Sequence, residues 1–386
     1  MKIAVLGTGT VGVISVCHFL YYLKGAQVDC IFDPEKSILG IGESTNWQTP
    51  DVLWKASHFN IYNDNDQLDS TLKYGVLYKN WRKNDFFNPI VPPIYAMHFD
   101  NFNLATVIFK RLRSIYRGRF NRIEANVKNV YQTKDSVVVQ VPNNLFYDYV
   151  IDCRGYPEDY QNYTFSKFLP LNHALVHSIS KPGNWNHTFH QATENGWMFG
   201  IPLKTRQGWG YLFNDTITSV EEAKKDISKI FNTNISSLKL REFKFKPYRV
   251  NKFLNKRIIK NGNRAIFYEP LEALSGVFYD NINRNLTDYI RKNKTEDQVN
   301  NDLTEQAQQY ENFICYVYHG GSIFDSKFWK HTKQVTGDHL KNNKVFNKTI
   351  EMSKQMDENK IDMKTFPFIP LLWKLLDKNL NYNYFK

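Results

Sequence analysis

Three glycines near the start of the chain, Gly7, Gly9 and Gly12, are spaced as G-x-G-x-x-G, with Thr10 and Val11 between the last two. Glycines in this spacing allow a tight turn and let backbone amides approach a pyrophosphate at a helix N-terminus. The triplet alone is weak evidence, and its flanks strengthen it. An apolar run at 3–6 precedes it, an apolar helical stretch through Leu20 to Leu23 follows, and a second apolar run at 28–32 ends on Asp33, 21 residues past Gly12. An acid at that point can accept hydrogen bonds from an adenosine ribose. Further on, residues 149–152 read as a buried strand, and Cys153, Arg154 and Gly155 as the turn that follows it. Alone this segment reads equally as one more core strand with a glycine turn; together the elements describe a Rossmann-type unit and favour a later strand that closes over a flavin dinucleotide.

Other chemistries find less support. The four cysteines, Cys17, Cys30, Cys153 and Cys315, lie far apart with no pair at metal-ligand spacing, which argues against zinc and against a disulfide scaffold. Fifty Lys and Arg against 38 Asp and Glu give a net charge of +12. The bases are dispersed, with denser stretches at 110–122 and 241–260, and no block of five like charges occurs, so nucleic-acid binding is not expected. Charged residues at 23% and hydrophobic ones at 42% suit a globular chain. The opening MKIAVLG reads as a strand rather than a leader, and no apolar run of 18 residues follows. The expectation is a soluble, cytoplasmic protein without metal.

The elements that must position the dinucleotide return in pieces, so the expected fold class is α/β. We read an FAD-binding module over 1–60, 96–155 and 240–285. A substrate-side region covers 61–95 and 156–239, where 196–213 has the pattern of a strand, turn and strand in an antiparallel sheet. Residues 286–386 read as mostly helical. The Asn- and Lys-rich segments 251–263 and 341–348 read as loops.

Seven short motifs, in order from residue 1 to about 330, resemble those of flavin-dependent halogenases of the tryptophan-halogenase type. After the glycine triplet, Gly40-Ile41-Gly42-Glu43-Ser44-Thr45 resembles G-x-G-E-[AS]-T. Lys73 is followed eight residues later by Trp81, and Met97-His98-Phe99-Asp100 leads into a basic amphipathic helix. Trp197-Met198-Phe199-Gly200-Ile201-Pro202 resembles W-x-W-x-I-P with phenylalanine in the second tryptophan place. Residues 206–211 continue that match. Glu269-Pro270-Leu271-Glu272 resembles the start of E-P-L-E-S-T-G, and Phe324-Asp325-Ser326-Lys327-Phe328-Trp329 resembles D-D-S-P-F-W. No resemblance is found after about 330, so the chain looks like a compact member.

The resemblance implies an FADH2-dependent halogenase. Reduced FAD from a separate flavin reductase, oxygen and a halide (chloride, bromide or iodide) would generate hypohalous acid. That acid would pass to Lys73, which either hydrogen-bonds it or becomes a haloamine. Lysine suits both roles, because burial can lower its pKa until the amine is nucleophilic. Glu272 falls on the partner glutamate, placed to stabilise the cationic ring or take its proton and to pair with the lysine. A structural alternative has Glu272 capping a helix that begins near Leu274. The cofactor set then comprises Gly7, Gly9, Thr10, Val11, Gly12, Asp33, Gly42, Glu43, Ser44, Thr45, Val127, Asp152 and Gly155. Ungapped, the S-T-G positions are Ala273, Leu274 and Ser275, and with a one-residue insertion Ser275 and Gly276 take their place, so the halide site falls on Leu274, Ser275 and Gly276. Trp197, Phe199 and Pro202 would wall the passage from flavin to lysine.

The substrate is the least determined part. Where tryptophan halogenases place a histidine and an aromatic around the indole, the stretch containing Phe86 and Phe87 carries Asn88 and Ile90. A lost stacking face gives up about 0.5–1.5 kcal/mol per pair. An aromatic substrate other than free tryptophan is therefore expected. The aromatic-rich segment 366–386 would supply part of a lid or a homo-oligomer contact. Two alternatives remain open at this point: an FAD-dependent aromatic monooxygenase, which has no use for Lys73, and a non-catalytic nucleotide-binding protein.

Overall fold

The computed structural model describes residues 1–38, 43–90 and 95–355. Gly42 and the segment 366–386, both singled out above, lie outside the described residues. A six-stranded sheet runs in the order Leu254–Asn255, Ile258–Lys260, Tyr149–Asp152, Lys2–Leu6, Gln27–Phe32, Phe120–Glu124. All neighbours are parallel except the first pair. The first strand is apolar along its length because both faces are covered. Ile3 and Val5 enter the main core with Val13, Val16 and Cys17 of the helix Thr10–Tyr22. Ala4 and Leu6 enter a second cluster with Val137, Val139 and Val150.

A seven-stranded sheet lies alongside in sequence, ordered Arg241–Lys244, His173–Ile179, Gln207–Phe213, Trp197–Pro202, Thr188–Ala192, Gly75–Lys79, Phe86–Pro89. It is antiparallel apart from one parallel pair, Thr188–Ala192 with Gly75–Lys79. Trp197–Pro202 is buried throughout. Trp197, Phe199 and Ile201 point into the main core, and Met198 points into a cluster with Ala223 and Ile227 of the helix Val220–Phe231. A third, three-stranded sheet matters most for the site. Ala96–Phe99 is its central strand, between Glu43–Ser44 and Thr71–Lys73, and His98 sits opposite Ser44 on one side and Thr71 on the other.

The C-terminal part of the described chain is helical: Leu274–Ile290, Glu296–His319, Lys327–Leu340 and Lys344–Gln355. Two indole N–H groups tie these helices to the large sheet, Trp329 Nε1 to the Thr193 carbonyl at 2.7 Å and Trp197 Nε1 to Tyr318 Oη at 2.6 Å.

Two expected loops prove to be structured. In 251–263, Leu254 and Ile259 are fully buried and their strands close the edge of the parallel sheet, because two core positions outweigh the polar neighbours that hid them. In 341–348, a helix starts at Lys344, and the Asn343 side chain accepts the Phe346 N–H at 3.0 Å. The asparagine that suggested a loop is instead performing the work of a helix cap.

Candidate functional site

The glycine turn is shaped for an anionic dinucleotide. Gly7 has φ +105°, and a Cβ there would meet the Cys153 carbonyl oxygen at 2.8 Å. A Cβ on Gly12 would lie 2.0 Å from the Gly7 carbonyl oxygen. Both glycines are demanded by strand–helix packing. Gly9 is different, since nothing lies within 4 Å of where its Cβ would be. It is the N-cap of the helix Thr10–Tyr22, whose first turn has no capping side chain and no acid. Free N–H groups, the helix dipole and open space beside Gly9 fit a diphosphate.

Asp33 directly follows the second strand, Gln27–Phe32, and is half-buried. Its oxygens accept from the Glu35 backbone N–H and from Asn126 Nδ2, each at 3.0 Å, which leaves lone pairs for ribose hydroxyls. Gly155 has φ +81° and open space at its Cβ position. Val127 packs half-buried against the cluster of Ala4, Leu6 and Ile31. Val11 packs against Gly262. The Asp152 carboxylate is held by Arg154 at 2.8 Å to each oxygen and by Arg264 at 3.2 Å. Those two guanidiniums keep its pKa below the usual range despite burial.

Lys73 ends the strand Thr71–Lys73 and is only 2% exposed, so it is not a solvated helix lysine. Its Nζ donates to Ser44 Oγ at 3.1 Å and to the Thr45 carbonyl at 3.0 Å. Burial pulls its pKa down to about 8, against the opposing pull of the Glu272 charge. The side chains of Glu43, Ser44 and Thr45, expected near the cofactor, have protein partners. Ser44 and Thr45 position the lysine, and Thr45 Oγ1 is taken up by the Met97 carbonyl at 2.9 Å and the Met97 N–H at 3.0 Å. Glu43 accepts from Asn101 Nδ2 at 2.9 Å, and burial pushes its pKa up to about 7.

Glu272 is 8% exposed. It does not cap the helix Leu274–Ile290, whose N-cap is Ala273, without a side-chain hydrogen bond. Instead, Tyr78 Oη donates to Glu272 Oε1 at 2.5 Å and Asn88 Nδ2 at 3.1 Å. Burial raises the carboxyl pKa, partly offset by Lys73, Tyr78 and Asn88. The expected ammonium–carboxylate contact is absent: the two groups feel each other's charge but form no ion pair within 4.0 Å. Each is held by its own set of neutral partners. Glu272 and Ala273 are both left-handed, at φ 57° and 54°, a strain of about 1–3 kcal/mol per residue that surrounding structure must hold.

Of the expected halide residues, Leu274 sends its side chain into the main core, while Ser275 and Gly276 are half-buried in the first helical turn. Asn46 faces Gly276; its Nδ2 donates to the Ala273 carbonyl at 3.4 Å, and its buried Oδ1 has no partner. Of the expected wall, Trp197 and Phe199 share the inward face of their strand, whereas the Pro202 ring packs against Gly183. Pro202 lies on the opposite face because strand side chains alternate. On the substrate side, Phe86 stacks on Tyr78 at 4.7 Å, Phe87 is exposed, and Asn88 is buried. The Ile90 N–H donates to the Tyr74 carbonyl at 2.8 Å.

Sequence reasoning missed Tyr78, His98, Thr188 and Glu269. Glu269 accepts from Tyr318 Oη at 2.7 Å, and burial pushes its pKa up to about 8. A buried acid three residues before Glu272 was quoted only as motif text. The signal for Tyr78 was its place two residues after Val76 in a strand pattern, which puts it on the same face as Val76, the partner of Asn88, and opposite Phe86.

A family model of tryptophan halogenases matches residues 87–362. The chain belongs to that family. Among curated tryptophan halogenases, the tryptophan 6-halogenase ThaL of Streptomyces albogriseolus is 22% identical over 261 residues, covering 62% of this chain and 49% of that protein. The tryptophan 7-halogenase RebH of Lentzea aerocolonigenes is 20% identical over 259 residues, with the same coverage of 62% and 49%. The chain thus matches about half the length of these relatives. The fold is that of solved halogenases. A tryptophan halogenase from Shewanella frigidimarina superposes with TM-score 0.81 at 17% identity, covering 99% of this chain and 89% of that one. The flavin-dependent halogenase BrvH from Brevundimonas sp. gives 0.79 at 16% identity, covering 98% and 89%. Among the described residues, no helix is long and apolar enough to cross a membrane, and no cluster of His, Cys, Asp and Glu could hold a metal.

Proposed function

We propose that this chain is a flavin-dependent halogenase acting on an electron-rich aromatic ring other than free tryptophan. The observation that carries the reading is a lysine amine, Lys73, 2% exposed, bonded only to neutral oxygens and with its pKa drawn down to about 8. A lysine buried without a counter-ion costs stability, which is the mark of a residue placed for chemistry rather than for the fold. When bound, reduced FAD supplied by a separate reductase would combine with oxygen and halide to furnish hypohalous acid.

The chain's residues would do the rest. Gly9 and the first turn of the helix Thr10–Tyr22 hold the diphosphate, and Asp33 the ribose. Ser275 and Gly276, with free amides at the start of the helix Leu274–Ile290 and Asn46 beside them, hold the halide. Trp197 and Phe199 keep water from the reactive acid. Lys73 takes or orients the electrophilic halogen. Glu272 presents Oε2, which has no partner among the described residues, while Tyr78 and Asn88 hold Oε1; Oε2 stabilises the cationic ring and takes its proton. Asn88 is occupied by Glu272 and offers no stacking face, which supports a phenol, another heteroaromatic or a carrier-bound ring over free tryptophan.

The test is product mass from a panel of such aromatics with FAD, a flavin reductase and chloride, bromide or iodide. Halogenated product is expected, with Lys73→Ala reducing it at least about 100-fold. A hydroxylated product, or halogenation that survives loss of the lysine, overturns the reading.

A further inference from the structure

Behind Lys73 runs a continuous line of side-chain hydrogen bonds. Ser44 Oγ and Thr188 Oγ1 are 3.0 Å apart, Thr188 Oγ1 and His98 Nε2 2.9 Å, and His98 Nδ1 and Thr71 Oγ1 3.2 Å. Thr71 Oγ1 then donates to the Pro202 carbonyl at 2.7 Å. The carbonyl can only accept, so the single proton of Thr71 is committed there. Thr71 must accept from His98 Nδ1–H, which makes Nε2 of a neutral His98 the acceptor. Thr188 therefore donates to His98, Ser44 donates to Thr188, and Ser44 is left to accept from Lys73. The direction of every bond is set from the far end.

We propose that His98 is a positioning residue: through Thr188 and Ser44 it orients a one-way chain that fixes Lys73 as a double donor and aims the remaining valence of its nitrogen at the halogen. The inference rests on the halogenase reading above. A neutral amine has two protons, and two acceptors are in place, Ser44 Oγ and the Thr45 carbonyl. Its lone pair is then the free position. It attacks the halogen of hypohalous acid, the halogen–oxygen bond breaks, and the departing hydroxide takes one nitrogen proton and leaves as water.

The geometry of the strands makes the arrangement compact. Thr71 and Lys73 lie on one face of their strand at a spacing of two, and His98 is opposite both Thr71 and Ser44. The titratable neighbours that feel or oppose the lysine charge are Glu272, His98 and His190, and His187 acts on His98. Burial and the Lys73 charge hold His98 well below the usual imidazole range. Protonating it would turn Nε2 into a donor, reverse Thr188 and leave the Ser44 proton without its acceptor.

The experiment uses the whole chain. Long-range proton–nitrogen NMR of the histidine-labelled protein without flavin, with His98 assigned by its absence in His98→Gln, should give a neutral Nδ1–H tautomer from pH 6.5 to 9. Thr188→Val should lower kcat about tenfold with the aromatic KM within twofold, and Thr188→Ser should restore most of it. A charged or Nε2–H His98, or a Thr188→Val enzyme with wild-type kcat, overturns the proposal. Failure of the wild type to halogenate any aromatic overturns the functional reading instead, and the tautomer then decides the chain of bonds alone.

Discussion

At the scale of single residues, the protein keeps ionisable groups where water cannot reach them. Lys73 has a folded pKa of about 8, below the ordinary lysine value. Between pH 8 and 10.5 the unfolded chain binds the extra proton, so stability rises with pH through that window, and below pH 8 the buried ammonium is a standing cost. Lys73→Met should therefore match or exceed the wild-type melting temperature at pH 6–7, by up to a few degrees, and lose that margin by pH 10. If the free amine is the reactive form, wild-type kcat should climb as pH rises through about 8, which a pH–rate profile checks. Glu269 behaves in the opposite sense. Its folded value of about 8 lies above the ordinary carboxyl value, so the native state binds more protons between pH 4.5 and 8 and loses stability as pH rises. Glu269→Gln should be more stable than wild type above pH 8 and converge with it near pH 5, as read by thermal melts. Lys73 and Glu272 were legible in the sequence because each sits in a local motif. Tyr78, Thr188 and His98 were not: Tyr78 meets Glu272 194 positions away, and Thr188 meets Ser44 and His98 144 and 90 positions away, pairings that only the assembled fold brings together.

At the scale of elements, the first strand, turn and helix could be read directly, since a doubly buried strand is a continuous apolar run and the glycines that follow have steric reasons. The two critical glycines make separable predictions. Gly12→Ala places a Cβ 2.0 Å from the Gly7 carbonyl oxygen and should cost folded yield along with flavin uptake. Gly9→Ala meets no protein atom within 4 Å and should fold normally, melting within a few degrees of wild type. It should still bind FAD at least about tenfold more weakly, because the methyl enters the diphosphate's space. Flavin titration with parallel melts distinguishes the two. The strands that sequence misplaced were short and set among polar neighbours: those at 254–255 and 258–260 show their two fully buried positions only once the sheet is assembled.

At the scale of the molecule, the sheets are interleaved rather than arranged in sequence. The parallel sheet draws on residues 2–6, 27–32, 120–124, 149–152 and 254–260, and the large sheet on 75–79, 86–89 and 173–244. We propose on that basis that the FAD-binding and substrate-side regions melt together. A single calorimetric transition is expected, shifted up by FAD at 100 times its Kd by the equivalent of about 2.7 kcal/mol. Two transitions, only one of which responds to FAD, would refute it. The order of strands in sequence hid this, since nothing in the run 75–89 says which of the two sheets it will join.

The pairing of residues 3–6 with 149–152, and of 150–152 with 258–260, also bears on how the chain is made. During synthesis the first apolar strand leaves the ribosome long before the strand that will cover its flank, and the sheet's edge waits for another hundred residues. The nascent chain therefore carries an open, aggregation-prone edge for much of translation. Slower growth at low temperature, or extra chaperone, should raise the soluble yield more than any change to the finished surface.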